Sequence, residues 1–92
     1  MSEEQHQVKA RVRGRVQGVW FRKHTQQTAL RLGLDGWAVN CDDGSVEVVF
    51  QGTHEAVDQG CQWLWTGSPM SRVDQVEIVS FIGEVPAGFF TG

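Results

Sequence analysis

Apolar and polar residues alternate from Val8 onward: Val8, Ala10 and Val12 fall on one face, Lys9, Arg11 and Arg13 on the other. Alternation of this kind predicts a half-buried strand. A loop from Gly14 to Phe21 interrupts it. From Arg22 to Leu32 the period becomes helical, with Phe21, Thr25, Thr28, Ala29 and Leu32 on one stripe and Gly33 where a left-handed cap belongs. Gly36 to Asn40 reads as a second strand and Asp42-Asp43-Gly44 as a tight hairpin turn. Val46 to Gln51 reads as the third strand, with Val46, Val48 and Phe50 facing inward, and Gly52 breaks it. Thr53 is placed to cap a helix over 54–66, with Glu55 in its first turn and Val57, Cys61 and Leu64 on the buried stripe. Gly60 within that helix costs about 1 kcal/mol relative to alanine and permits a close approach to the sheet. Trp63 and Trp65 point in different directions, so one of them is expected to be part-exposed. Gly67-Ser68-Pro69 ends the helix. Arg72 to Phe81 is a fourth strand with apolar residues on both faces, as expected at an edge or a bulge. Phe89-Phe90 offers a short fifth strand, and residues 1–6 read as a disordered tail.

The resulting order, β-α-β-β-α-β, is the split βαβ pattern of the α+β class: a ferredoxin-like sandwich with two helices on one face of a mostly antiparallel sheet. Right-handed crossovers make the first and second strands parallel, with the third between them. Their ends then lie at one rim, roughly 10 Å apart for neighbours spaced about 4.8 Å. The Gly14–Phe21 loop leaves one of those ends and Asn40 sits at the other. Trp37 is expected in the core, under the helices.

Ninety-two residues suffice for one small domain, residues 1–92, with one core. The net charge of −3 argues against bulk binding to nucleic acid or to an anionic membrane, but is compatible with a local basic site for a small anion. The start of the sequence lacks a basic segment followed by an apolar one, and no apolar run is long enough to span a bilayer. Cys41 and Cys61 form neither a disulfide framework nor a metal pattern, and we expect both reduced in a cytoplasmic protein. His6, His24 and His54 belong to no set with metal-ligand spacing. His24 is expected to be an exposed helix residue. No nucleic acid, membrane or metal partner is therefore expected, and the protein is expected to be a monomer.

The chemistry concentrates in Gly14-Arg15-Val16-Gln17-Gly18-Val19-Trp20-Phe21-Arg22. Glycines let successive backbone N–H groups face one concavity, a nest for phosphate-like charge, and a following helix adds its positive end. Arg22 can fork to two oxygens of one phosphate. A bland alternative is a two-glycine turn followed by a solvated arginine. Asn40, uncharged, could hold a water beside a bound phosphate, or could cap the Asp-Gly turn.

These residues resemble the acylphosphatase family. Its first signature corresponds to Val12-Arg13-Gly14-Arg15-Val16-Gln17-Gly18-Val19-Trp20-Phe21-Arg22, and its second to Gly36-Trp37-Ala38-Val39-Asn40 with Gly44, Val46 and Gly52. Ser68-Pro69 and Arg72 to Glu77 also resemble the family's approach to the fourth strand. Trp20 stands where the family is often small, and Val39 where it is often polar or basic. The segment Phe89-Phe90-Thr91-Gly92 lacks the usual alternating phenylalanines. The resemblance implies hydrolysis of acyl phosphates to a carboxylate and inorganic phosphate, without cofactor, metal or covalent intermediate. It also implies that Arg22 binds the phosphoryl group, that Asn40 orients the attacking water, and that the backbone N–H groups of Arg15, Val16, Gln17, Gly18, Val19, Trp20 and Phe21 hold the phosphoryl oxygens.

Two other functions are compatible with the fold. An RNA-binding module of the same topology needs exposed aromatics on its sheet; the outward residues of the first and third strands, Lys9, Arg11, Arg13, Glu47, Val49 and Gln51, include none. A catalytically silent phosphate-binding or regulatory domain is the second, with Trp20 obstructing the mouth of the pocket.

Overall fold

A computed structural model describes residues 5–92. Its elements follow the predicted order: β1 (His6–Arg15), α1 (Phe21–Leu32), β2 (Asp35–Asn40), β3 (Val46–Gly52), α2 (His54–Thr66), β4 (Arg72–Ser80) and β5 (Phe89–Thr91). The sheet runs β4-β1-β3-β2-β5, antiparallel except for the β2–β5 pair. β3 pairs antiparallel with both β1 and β2, which makes those two parallel and sends them to the same rim. Most of the predicted tail lies outside the described residues. His6, assigned to that tail, instead opens β1 opposite Gly52, and its ring rests 4.7 Å from that of His54.

Both helices cover the face that carries Val8, Ala10 and Val12 of β1 and Val46, Val48 and Phe50 of β3, all buried. Burying side chains of this size contributes roughly 1.5–3 kcal/mol each. The α1 stripe is as predicted for Phe21, Thr25, Thr28 and Ala29, with Leu32 packed at its margin. Thr53 caps α2, its hydroxyl accepting the Ala56 N–H at 3.1 Å. Gly60 is buried where a Cβ would stand 2.9 Å from the side chains of both Leu34 and Phe50, so those two side chains pack directly on the helix backbone. Trp63 packs on Phe21, and of these two tryptophans Trp65 is the one left exposed.

Gly36 is required by both its space and its backbone. It holds φ +140°, and a Cβ would fall on the carbonyl oxygen of Val49 across the ladder. Gly36 and Ala38 face the helices, leaving Trp37 on the opposite, open face. The expectation of Trp37 under the helices is thereby corrected. Its indole N–H donates to Glu47 at 3.2 Å, and its ring meets Phe81 edge-on at 5.7 Å. Aromatics therefore do stand on the open face, carried by β2 and the segment after β4 rather than by β1 or β3.

The irregular pattern of the fourth strand has both anticipated causes. β4 is an edge strand, and its register with β1 shifts between Arg13 and Gly14. The shift lets Val73 and Val76, three apart, both pack against the core. The chain then crosses the end of the sheet far from the loop, with the Phe81 N–H donating to the Gln7 carbonyl and the Gln7 amide to that of Gly83. Gly88 donates to the Asp35 carboxylate at 2.9 Å and accepts from the Gly36 N–H. The fifth strand forms although only three residues long. Phe89 is buried 5.9 Å from Phe50, and its carbonyl accepts from the Gln26 amide.

Gly36→Ala is expected to cost about 3 kcal/mol or more, combining left-handed strain with overpacking against the Val49 carbonyl. Urea denaturation of the variant beside wild type measures it.

Candidate active site

β1 ends at Arg15, and the chain turns through Val16–Trp20 into α1. Val16 and Val19 are buried and anchor the loop from beneath, while Gly18 lies at its exposed crest with φ +74°. The Val19 carbonyl accepts the hydroxyl of buried Ser68, which braces the loop against the turn after α2. Among the described residues, the backbone N–H groups of Val16, Gln17, Gly18, Val19 and Trp20 donate to no backbone carbonyl. These donors, with the free N–H groups opening α1, are available to an anion.

Trp20 enters α1 in the left-handed conformation, φ 64° and ψ 18°, the one non-glycine residue with positive φ among those described. Its carbonyl accepts from the His24 N–H at 3.0 Å and lies 2.9 Å from His24 Nδ1. His24 is thus half-buried and tied to the loop, not simply exposed on the helix as expected. Phe21 follows, 1% exposed and fixed against Trp63. Arg22 is next, at the rim, where its guanidinium donates to the Gly92 carbonyl beyond β5.

The ladder places Asn40. Val12, Val46 and Asn40 are successive partners across β1, β3 and β2, so the Asn40 side chain lies on the helix face of the sheet. A side chain from the loop reaches the same place. The Gln17 amide donates to the carbonyls of Cys41 at 2.9 Å and Ser45 at 2.8 Å, tying the loop to the hairpin that begins after Asn40. Asn40 is exposed and takes no part in closing that hairpin. Asp43 does so instead, accepting the Ser45 N–H at 3.0 Å and the Ser45 hydroxyl at 2.5 Å.

A cleft of about 430 Å³ opens beside the loop, lined by Val16, Gly18, Trp20, Phe21, Arg22, Lys23, Gln26 and Thr91. Its lining carries two cations and no carboxylate. Sequence reasoning missed Gln26 and Thr91; one helical turn separates Gln26 from Arg22, but Thr91 becomes visible only once β5 is paired to β2. Val39 points to the open face, so its departure from the family pattern leaves the cleft lining untouched. Neither cysteine lines it. Burial, with Asp58 nearby, pushes the Cys61 thiol up to about 11, which keeps it protonated near neutral pH. On the open face Asp43 also meets Arg13 at 3.0 Å. The Ser45 hydrogen bonds, with Arg13, hold the Asp43 carboxyl well below the usual carboxylate range.

Residues 8–89 match the family model described as Acylphosphatase. An acylphosphatase of Thiobacillus denitrificans is 49% identical over 73 residues, which are 79% of this chain and 82% of that protein. Among solved structures, an acylphosphatase from Coxiella burnetii superposes with TM-score 0.90 at 32% identity, covering 96% of this chain and 93% of that one. The acylphosphatase from Bacillus subtilis gives TM-score 0.86 at 33% identity over 96% and 97% of the two chains.

Two outcomes follow from the geometry around the hairpin. Gln17→Ala removes two hydrogen bonds between loop and hairpin and should cost about 1–2 kcal/mol in urea denaturation, with faster amide exchange over residues 41–45. Folding favours ionised Asp43, so its contribution is present above a pH of about 4 and is lost as pH falls through the lower value of the folded state. Asp43→Asn should therefore lose less stability than wild type on acidification from pH 4, measured by denaturation at stepped pH.

Proposed function

This chain belongs to the acylphosphatase family and hydrolyses acyl phosphates, and from that premise we propose how its own residues carry the reaction. The backbone N–H groups of Arg15 to Phe21 receive the phosphoryl oxygens, and the Arg22 guanidinium forks onto two of them. Its contact with Gly92 engages one of five N–H donors and leaves the others for the ligand. Asn40 holds the attacking water through its amide, which binds a polar molecule beside an anion without electrostatic repulsion. The observation that carries this reading is the Gln17 tie, which keeps the loop against the hairpin that follows Asn40.

In the reaction the water oxygen forms a bond to phosphorus as the bond from phosphorus to the acyl oxygen breaks. An acyl phosphate dianion and water give a carboxylate and a dihydrogen phosphate, so atoms and charge balance. The water's protons end on the phosphate product, and no side-chain base is needed. Because the carboxylate is a good leaving group, positioning and charge stabilisation supply most of the acceleration. Donors fixed in a loop before substrate arrives need no reorganisation as charge develops, which is why a few of them suffice.

The substrate is a small molecule bearing the acyl phosphate group. The reading also takes the protein as a cytoplasmic monomer; no described helix is long and apolar enough to cross a membrane. Arg22→Ala and Asn40→Ala are each expected to lower kcat/KM for an aryl acyl phosphate by a factor of about 10²–10³ or more. Arg22→Lys should recover little, since a point charge cannot reproduce the planar fork. Steady-state hydrolysis, with thermal melts to verify folding, checks this. Near wild-type turnover in a folded variant removes that residue from the mechanism.

A further inference from the structure

Trp20 stands out energetically. It is 69% exposed, and a large indole left in water contributes little to folding. Its backbone occupies the left-handed region, a strain that glycine would avoid. Two unfavourable choices thus coincide at one residue, and that residue forms a wall of the cleft. The strained conformation is held from both sides, by the two His24 contacts to the Trp20 carbonyl and by the Ser68 bond to the Val19 carbonyl.

The direction of the reaction indicates what meets that wall. Attacking and leaving oxygens lie roughly in line across phosphorus. Asn40, proposed to hold the water, does not line the cleft, whereas Trp20, Lys23 and Gln26 do. An acyl group departing away from that water would leave toward the cleft, whose lining includes the indole.

Resting on the proposed roles of Arg22 and Asn40, we infer that the Trp20 side chain is the acyl subsite: a flat apolar platform that selects acyl phosphates with planar or aromatic acyl groups over small aliphatic ones. Stacking on an indole rewards a planar partner beyond the area buried, and an acetyl group is too small to collect that gain. Lys23, exposed in the same lining and paired with no carboxylate among the described residues, adds positive charge to the cleft.

The test compares kcat/KM for benzoyl phosphate and acetyl phosphate in wild type, Trp20→Phe and Trp20→Gly. Any effect of the substitution on the phosphoryl loop acts on both substrates and cancels in the benzoyl-to-acetyl ratio, as does their intrinsic reactivity when variants are compared. The ratio is expected to fall about tenfold in the glycine variant, with phenylalanine intermediate. Most of the change should lie in KM for benzoyl phosphate. Glycine accepts the left-handed backbone without strain, so its melting temperature should not fall; phenylalanine retains the strain and part of the platform. A ratio unmoved in Trp20→Gly, or an order other than Trp, Phe, Gly, overturns the subsite. If wild type hydrolyses neither substrate, the phosphoryl site itself fails, and the subsite with it. Turnover of both with an unmoved ratio fails the subsite alone.

Discussion

The site depends on one constraint of sheet topology: β3 is inserted antiparallel between β1 and β2. That placement makes two strands distant in sequence run the same way and finish at the same rim. One rim therefore receives a strand-to-helix loop and a strand-to-hairpin turn side by side. The Gln17 amide converts proximity into a fixed relation by bonding both carbonyls that flank the turn. Were β2 antiparallel to β1, the loop and Asn40 would belong to opposite ends of the sheet, and no local motif could bring them together.

Much of this was legible in the sequence because the signals were local and mutually consistent. Period-two alternation in β1, the helical stripe of α1, the Thr53 cap and the Asp-Gly turn all indicated the same architecture. The two signatures then located the loop, Arg22 and Asn40. Less legible were features set by tertiary competition. Trp37 is large and apolar, and on hydrophobicity alone it belongs in the core. The helix face of β2 instead takes Gly36, where the Val49 carbonyl leaves no room for a Cβ, and Ala38, which is fully buried. Trp37 finds its burial against Phe81 on the other side. β5 was equally hard to foresee, since three residues carry no periodicity and their strand exists through Gly36, Ala38 and Gln26, none of them nearby in sequence.

The protein handles a dianion while carrying net negative charge. Its acidic residues are disposed so that this does not matter at the cleft. Asp43, Glu47 and Glu77 gather around Arg11 and Arg13 on the open face, Asp43 shared between the two arginines, so these carboxylates are held away from the cleft. Arg22 and Lys23 occupy the other side with no carboxylate in the cleft lining. Backbone N–H groups supply the rest of the positive potential. They add no formal charge, and their positions are set by the loop rather than by flexible side chains.

Phe21 and Arg22 are adjacent, the first sealed in the core and the second at the rim. A peptide bond is short and stiff, so the position of the guanidinium is inherited from the packing of a phenyl ring. In such an arrangement stability and catalytic competence are not separate traits open to independent drift. Given the phosphoryl role proposed for Arg22, a substitution that loosens the interior around Phe21 or Trp63 is expected to register first as lost chemistry, before the fold itself gives way. The scaffold's tolerance to change is therefore narrowest beneath the site, among residues that never meet the substrate.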